Sequence, residues 1–228
     1  MNGARLNIRP AGKMGKVLIA CEKSGVVRDA FLRHGHDAFS CDIQPADAPT
    51  NRHIQADVRD VLAFEPWDLL IVAHPPCTRL CNSGVMWLKT PPPGRTIQEM
   101  WRDLREGCAL FSELWNADTP RVCIENPVMH RYAKKRIRNF EPMAQSVQPW
   151  QFGTDPGSWD NQKKRTCFWL RDLPNLEPTG RLDGTSARDD IHRMPPSPDR
   201  ADKRSRFFPG IADAMAKQWG ALLPRTEA

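Results

Sequence analysis

Two short stretches carry residue types able to make and break covalent bonds. His74-Pro75-Pro76-Cys77-Thr78 follows an apolar run directly, so two prolines fix the turn and a cysteine is presented where a strand would end. Glu125-Asn126-Pro127 closes a second apolar run in the same manner and puts a carboxyl and an amide at a neighbouring edge. A thiolate is a strong nucleophile and a carboxyl can give or take a proton, so the two together suit covalent catalysis, in which one hard step is split into easier ones. A free thiol has a pKa near 8.5, and such a cysteine needs donors or cations around it to ionise at neutral pH. Taken alone, a cysteine after two prolines also fits a packed turn residue; its ordered companions favour chemistry.

The elements that must position these residues alternate. Lys16-Val-Leu-Ile-Ala20 reads as a buried strand. A helix follows, with Ser24 able to cap it, Val26, Val27, Ala30 and Phe31 on one face and Gly35 at its stop. Residues 37–42 read as a second strand ending in an acid, and 68–74 as a strongly apolar later one. After the prolines at 91–93 a long amphipathic helix carries Ile97, Met100, Trp101, Leu104, Cys108, Phe111 and Trp115 at helical spacing, and 121–125 is another buried strand. A last helix spans about residues 209–219. Alternation of this kind predicts an α/β, doubly wound, mostly parallel sheet, with ligands gathered beyond the carboxyl ends of the strands. The expected organisation is a flexible leader over 1–15 and a single domain over 16–228, in which 171–206, rich in Pro, Arg and Asp, forms an exposed basic loop.

In order along the chain, Pro75-Pro76-Cys77 and Glu125-Asn126 resemble the two catalytic motifs of the cytosine carbon-5 DNA methyltransferases. The loop Cys21-Glu22-Lys23-Ser24-Gly25 resembles a divergent first cofactor motif, Asp42 with Ile43 matches the acid after the second strand, and Ala56-Asp57-Val58-Arg59-Asp60 resembles the adenine-side motif. Asn161-Gln-Lys-Lys-Arg165-Thr resembles the family's Gln-x-Arg-x-Arg segment, with Arg165 at its last arginine, and Phe208-Pro-Gly-Ile-Ala212 resembles its closing motif. The whole pattern is similar to short methylase-like proteins of bacteriophages and prophages. The resemblance implies a Rossmann-like methyltransferase fold that binds S-adenosylmethionine through Cys21, Glu22, Ser24, Gly25, Asp42, Ile43, Asp57, Val58, His74 and Pro75. It implies Cys77 as the nucleophile at carbon 6 of cytosine, Glu125 as the acid at ring nitrogen 3, Asn126 as a positioning group, Arg165 as an anion stabiliser that also contacts substrate, and Pro76 and Thr78 beside the base. Glu125 would then need a raised pKa. Asp42 and Asp57 also fit ordinary helix caps.

The chain departs from the family in three places. Its cofactor loop keeps only Gly25 of the usual Phe-x-Gly-x-Gly, Thr78 replaces a glutamine, and only residues 171–206 stand where a whole target-recognition domain is normally inserted. The expected substrate is therefore DNA read with little or partner-supplied sequence preference, or alternatively a free pyrimidine nucleotide such as deoxycytidine monophosphate. With DNA, the target base must leave its stack to meet Cys77. A third alternative is a non-catalytic methylase-like regulator that only binds cofactor or DNA.

Composition bounds these readings. Lys and Arg number 33 against 27 Asp and Glu, a net charge of +6 that favours a polyanionic partner. The basic groups Arg131, Lys134, Lys135, Arg136, Arg138 and, in the loop, Arg193, Arg200, Lys203, Arg204, Arg206 point the same way, whereas Lys163 and Lys164 read as solvated charges. Seven cysteines form no regular framework and no stretch is long and apolar enough to span a bilayer, so a reduced, cytoplasmic protein is expected. Zinc nucleobase deaminases carry Pro-Cys-x-x-Cys with His-x-Glu, but Cys77 and Cys81 are separated by three residues rather than two and His53-Ile54-Gln55 lacks the acid, so no metal is expected. The sequence specifies no protein partner.

Overall fold

The computed structural model describes residues 15–197 and 200–224; most of the expected leader lies outside them. Seven strands form one sheet: β1 (Lys16–Ala20), β2 (Asp37–Asp42), β3 (His53–Gln55), β4 (Leu69–Val72), β5 (Arg121–Glu125), β6 (Gln145–Val147) and β7 (Thr166–Arg171). Their order is β3-β2-β1-β4-β5-β7-β6. The first five run parallel, and β7 is antiparallel to both β5 and β6. This is the Rossmann-like, doubly wound α/β fold, and the order reverses between β1 and β4, where such sheets bind ligands.

Because β1 and β4 are covered on both faces, nearly every residue in them is apolar, and successive side chains enter different cores. Val17 and Ile19, with Leu69 and Ile71, pack against helices α1 (Val26–Arg33) and α7 (Pro209–Gln218). Leu18 and Ala20, with Leu70 and Val72, pack against α2 (Val58–Phe64) and α3 (Ile97–Trp115). Helix α3 opens with a capping box: the Thr96 hydroxyl accepts the Glu99 N–H, and the Glu99 carboxylate accepts the Thr96 N–H. Ile97, expected on its apolar stripe, is instead solvent-exposed.

Two corrections concern what periodicity could not show. The three-residue strands β3 and β6 are too short to register as patterns. Residues 171–206, expected as an exposed loop, carry the helices α5 (Asp190–Arg193) and α6 (Arg200–Ser205) and bury Leu176 and Ile191 in the first core. Gln145 fastens the start of that segment by two bonds to Leu176, donating to its C=O and accepting its N–H. Gln162 donates to Asp190 further along, and the Lys163 N–H to the Arg188 C=O.

Helix α1 begins in an unexpected way. Ser24 is not its principal cap: Gly25 stands at the N-cap with φ 75°, and a Cβ there would lie 2.1 Å from the Arg28 guanidinium. The fully buried Glu22 carboxylate reaches forward instead, accepting the Val27 N–H at 2.9 Å and the Ser24 hydroxyl at 3.1 Å, with the Arg28 N–H at 3.5 Å. We expect Glu22→Ala to lower unfolding stability by about 2 kcal/mol, since it leaves buried N–H groups unpaired, with Glu22→Gln losing less because it keeps an acceptor. Urea denaturation of the three proteins checks this.

Candidate active site

The carboxyl ends of β1, β2 and β4, the start of α2 and one flank of α3 enclose a cleft of about 800 Å³. Cys21, Asp42, Ile43, Asp57, Val58 and His74 line it, together with Pro76 and Thr78. The remaining residues assigned to a cofactor lie off its wall: Glu22, Ser24 and Gly25 are engaged in starting α1, and Pro75 is buried beneath the turn. Cys21 bends the backbone around the cleft with φ 54°, and burial pushes its thiol up to about 12, so it is neutral. Asp57 caps α2 by accepting the Arg59 N–H at 2.9 Å and pairs with the Arg59 guanidinium, which holds its carboxyl down at about 2. Of the two acids, then, Asp57 does act as a helix cap. Asp42 accepts the Gln44 N–H at 2.9 Å through one oxygen.

The far wall is not legible as a site in the sequence. Asp103, Glu106, Gly107 and Leu110 of α3 face the cleft, and Asp103 is paired with Arg95 at 2.8 Å and Arg79 at 3.6 Å. Only the helix's apolar stripe is informative there, because polar residues on a surface helix carry no marker of what they face.

The turn after β4 is clamped from two sides. Leu80 and Cys81 N–H groups return to the Cys77 C=O at 2.9 and 3.1 Å, and Gly84 packs so closely that a Cβ there would lie 1.9 Å from the Thr78 carbonyl oxygen. The same turn folds the Cys77 and Cys81 thiols onto each other. Cys81 also meets the Ser83 hydroxyl at 3.0 Å. The contact with Cys77, followed by that hydroxyl, brings the Cys81 thiol down to about 5. Cys77 is driven well above the usual thiol range, first by holding the shared proton against Cys81, then by burial and the nearby Glu125. Of the two thiols, Cys81 is therefore the one whose surroundings favour ionisation.

Glu125 ends β5 beside this turn. It is 8% exposed, and burial raises its carboxyl to about 7 against the opposing pull of Lys164. The Asn126 side chain donates to the Pro127 C=O at 2.6 Å, while its Oδ1 is buried without a partner among the described residues. His74 Nε2 is likewise buried and unpartnered; the ring lies against Phe207 at 5.6 Å, and burial, then Lys164, lowers its pKa to about 3, keeping it neutral.

Lys164, not Arg165, is the cation turned toward this site. Alternation along the strand start puts exposed Arg165 on the Cys167 side. Lys164 donates to the Arg204 C=O at 3.0 Å, lies 5.3 Å from the centre of the Phe208 ring, and feels both Glu125 and Cys77. Desolvation lowers its pKa. Trp159 is stacked on Phe208 at 6.0 Å. Among the described residues no group of three or more His, Cys, Asp or Glu side chains is placed to hold a metal ion, and no helix is long and apolar enough to cross a membrane.

The cleft fits a nucleoside-bearing cofactor on its own chemistry. Its size is that of a small-molecule site, the Asp42 carboxylate is a hydroxyl-binding acceptor at a strand end, and Ile43 and Val58 offer apolar surface beside it.

No protein-family model matches the chain, and no curated protein matches it. Among solved structures it is similar to one from E. coli, a prophage-encoded protein described as a candidate DNA modification methyltransferase, at 16% sequence identity and a TM-score of 0.39. The match covers 68% of this chain and 45% of that one, so this chain spans less than half the length of that protein.

Proposed function

We propose that this chain is an S-adenosylmethionine-dependent methyltransferase that acts on carbon 5 of cytosine in DNA through a covalent adduct of Cys77. One observation carries the reading: the turn that presents Cys77 and Cys81 after β4, and the buried Glu125 that ends the adjacent parallel strand β5, stand together next to a cleft of cofactor size. Bound in that cleft against Asp42, Ile43 and Val58, S-adenosylmethionine would supply an electrophilic methyl group.

The protein's own part concerns the pyrimidine. Carbon 5 of cytosine is too weak a nucleophile to be methylated unaided. Cys77 forms a sulfur–carbon bond at carbon 6 while its proton passes to Cys81, and the electron pair displaced from the 5,6 double bond is taken up by the ring. Glu125 delivers its proton to nitrogen 3, which relieves the ring's negative charge and leaves carbon 5 electron-rich. After methylation a base from solvent takes the carbon-5 proton, the sulfur–carbon bond breaks as the 5,6 double bond re-forms, nitrogen 3 returns its proton to Glu125, and the released Cys77 thiolate takes back the proton held by Cys81. Lys164 balances the charge that passes between Cys77 and Glu125. The unpartnered Asn126 Oδ1 is an acceptor suited to a substrate N–H.

The decisive experiment incubates the protein with labelled S-adenosylmethionine and, in separate reactions, duplex DNA, single-stranded DNA and deoxycytidine monophosphate, followed by nucleoside mass spectrometry. The expected product is 5-methylcytosine in DNA; bound cofactor with no transfer, or a methyl group at another position, sinks the proposal. Cys77→Ser should lower turnover at least about a thousandfold with cofactor affinity nearly unchanged.

The pH profile should be bell-shaped. Its acid limb follows the thiol pair at about 5, below which no thiolate exists, and its basic limb follows Glu125 at about 7, above which the proton donor is lost. Cys81→Ala should move the acid limb upward, because Cys77 must then ionise alone. Lys164→Met should move the basic limb upward, because the cation that favours ionised Glu125 is gone. Unmoved limbs in these two variants would remove Cys81 and Lys164 from the mechanism.

A further inference from the structure

One surface beside the Cys77 turn is charged, ordered and uncompensated. Helix α4 (Arg131–Lys134) and the residues after it expose Arg131, Lys134, Lys135 and Arg136, and the segment 127–140 contains no Asp or Glu. Lys89, also exposed, joins them from the end of the 3-10 turn Asn82–Leu88, close enough that it and Lys135 act with Arg131 on the Tyr132 hydroxyl. None of these five cations forms an ion pair among the described residues, whereas the neighbouring arginines on the α3 side are paired with carboxylates, Arg79 with Asp103 and Arg95 with Asp103 and Glu99.

Part of this charge is held in place. The Arg131 guanidinium lies 4.8 Å from the centre of the Tyr132 ring and donates to its hydroxyl, Arg136 lies 5.0 Å from the Trp101 ring, and the two aromatic rings meet edge to face at 5.4 Å. Cations already ordered on an aromatic shelf give up less side-chain entropy when they meet an anion. The shelf is also tied to the Cys77 turn. His130 Nε2 lies 2.7 Å from the Arg79 C=O, its N–H donates to the Leu80 C=O at 3.0 Å, and the Asn82 N–H donates to the Val128 C=O at 3.0 Å.

We infer that this ridge is the surface on which the phosphodiester backbone of DNA lies while a base reaches Cys77. The inference rests on the proposed function for the reason DNA should be there, but binding needs no methyl transfer and is measured without it. Contacts of this kind supply affinity and register without reading bases, in keeping with the absence of a target-recognition domain from residues 171–206.

The test is fluorescence anisotropy of the full chain with a labelled 30-base-pair duplex, without cofactor, between roughly 50 and 200 mM salt. The fourfold variant Lys89→Gln, Arg131→Gln, Lys134→Gln and Lys135→Gln should bind at least about tenfold more weakly, and its slope of log affinity against log salt should shrink by about 0.9 for each phosphate it no longer neutralises. Lys135→Arg keeps the charge and should retain binding, and thermal melting confirms that the fourfold variant folds. Equal affinity of the fourfold variant and the wild type overturns the inference, as does a wild type that does not bind DNA or that prefers duplex RNA of the same length. Failure of the catalytic reading has a separate signature: DNA binding that depends on the ridge in a protein that transfers no methyl group.

Discussion

Glu125 is a carboxyl largely removed from water, and no protein hydrogen bond to it is found among the described residues. Desolvation of that one group governs much of what surrounds it, because an ionised carboxylate there would cost several kcal/mol and the neutral form is what burial favours. It can be held only by a rigid frame. β5 supplies that frame, paired with parallel β4 on one side and antiparallel β7 on the other, so the strand that ends in Glu125 cannot shift to let it reach solvent. The reversed strand β7 has a second consequence: its start, rather than its end, lies beside Glu125, and Lys164 stands just before that start.

The same frame decides the chemistry of the Cys77 turn. Two prolines set its direction, but the turn closes because Gly84 lets the chain pass against the Thr78 carbonyl and because Gly107 of α3 sits against Leu80. Closing it brings the Cys81 thiol against Cys77, and that contact, with the Ser83 hydroxyl, favours the ionised form of Cys81. What stands against Cys77 is thus a second sulfur, while the exposed Arg165 lies on the Cys167 side.

Charge is also sorted by the fold. The cleft wall on α3 is acidic and its arginines are paired with carboxylates, while the cations after β5 face outward with no carboxylate paired to them among the described residues. A net charge of +6 cannot show this, because a charge total does not record which cations are already neutralised.

Much of the frame was legible because it rests on local patterns. β1, β2, β4 and β5 are short runs with both faces buried, α3 and α7 repeat their apolar residues at helical spacing, and the polar residues that end the apolar runs marked the edge at which Cys77 and Glu125 emerge. β3 and β6 were not legible, since three residues make no period. Residues 171–206 misled because their anchors, Leu176, Ala187 and Ile191, are single apolar residues scattered among charges, and each is buried only when the chain has already returned to the sheet. The sequence by itself determined the order of the strands along the chain and which residue types stand at their ends, because backbone alternation and turn chemistry act over a few neighbours. Only the tertiary structure decided that Lys164 rather than Arg165 turns inward, because its partner, a carbonyl forty residues further along the chain, is brought close by the fold, and that the Glu22 carboxylate turns under the start of a helix rather than lining the cleft, because burial leaves it the helix N–H groups as partners.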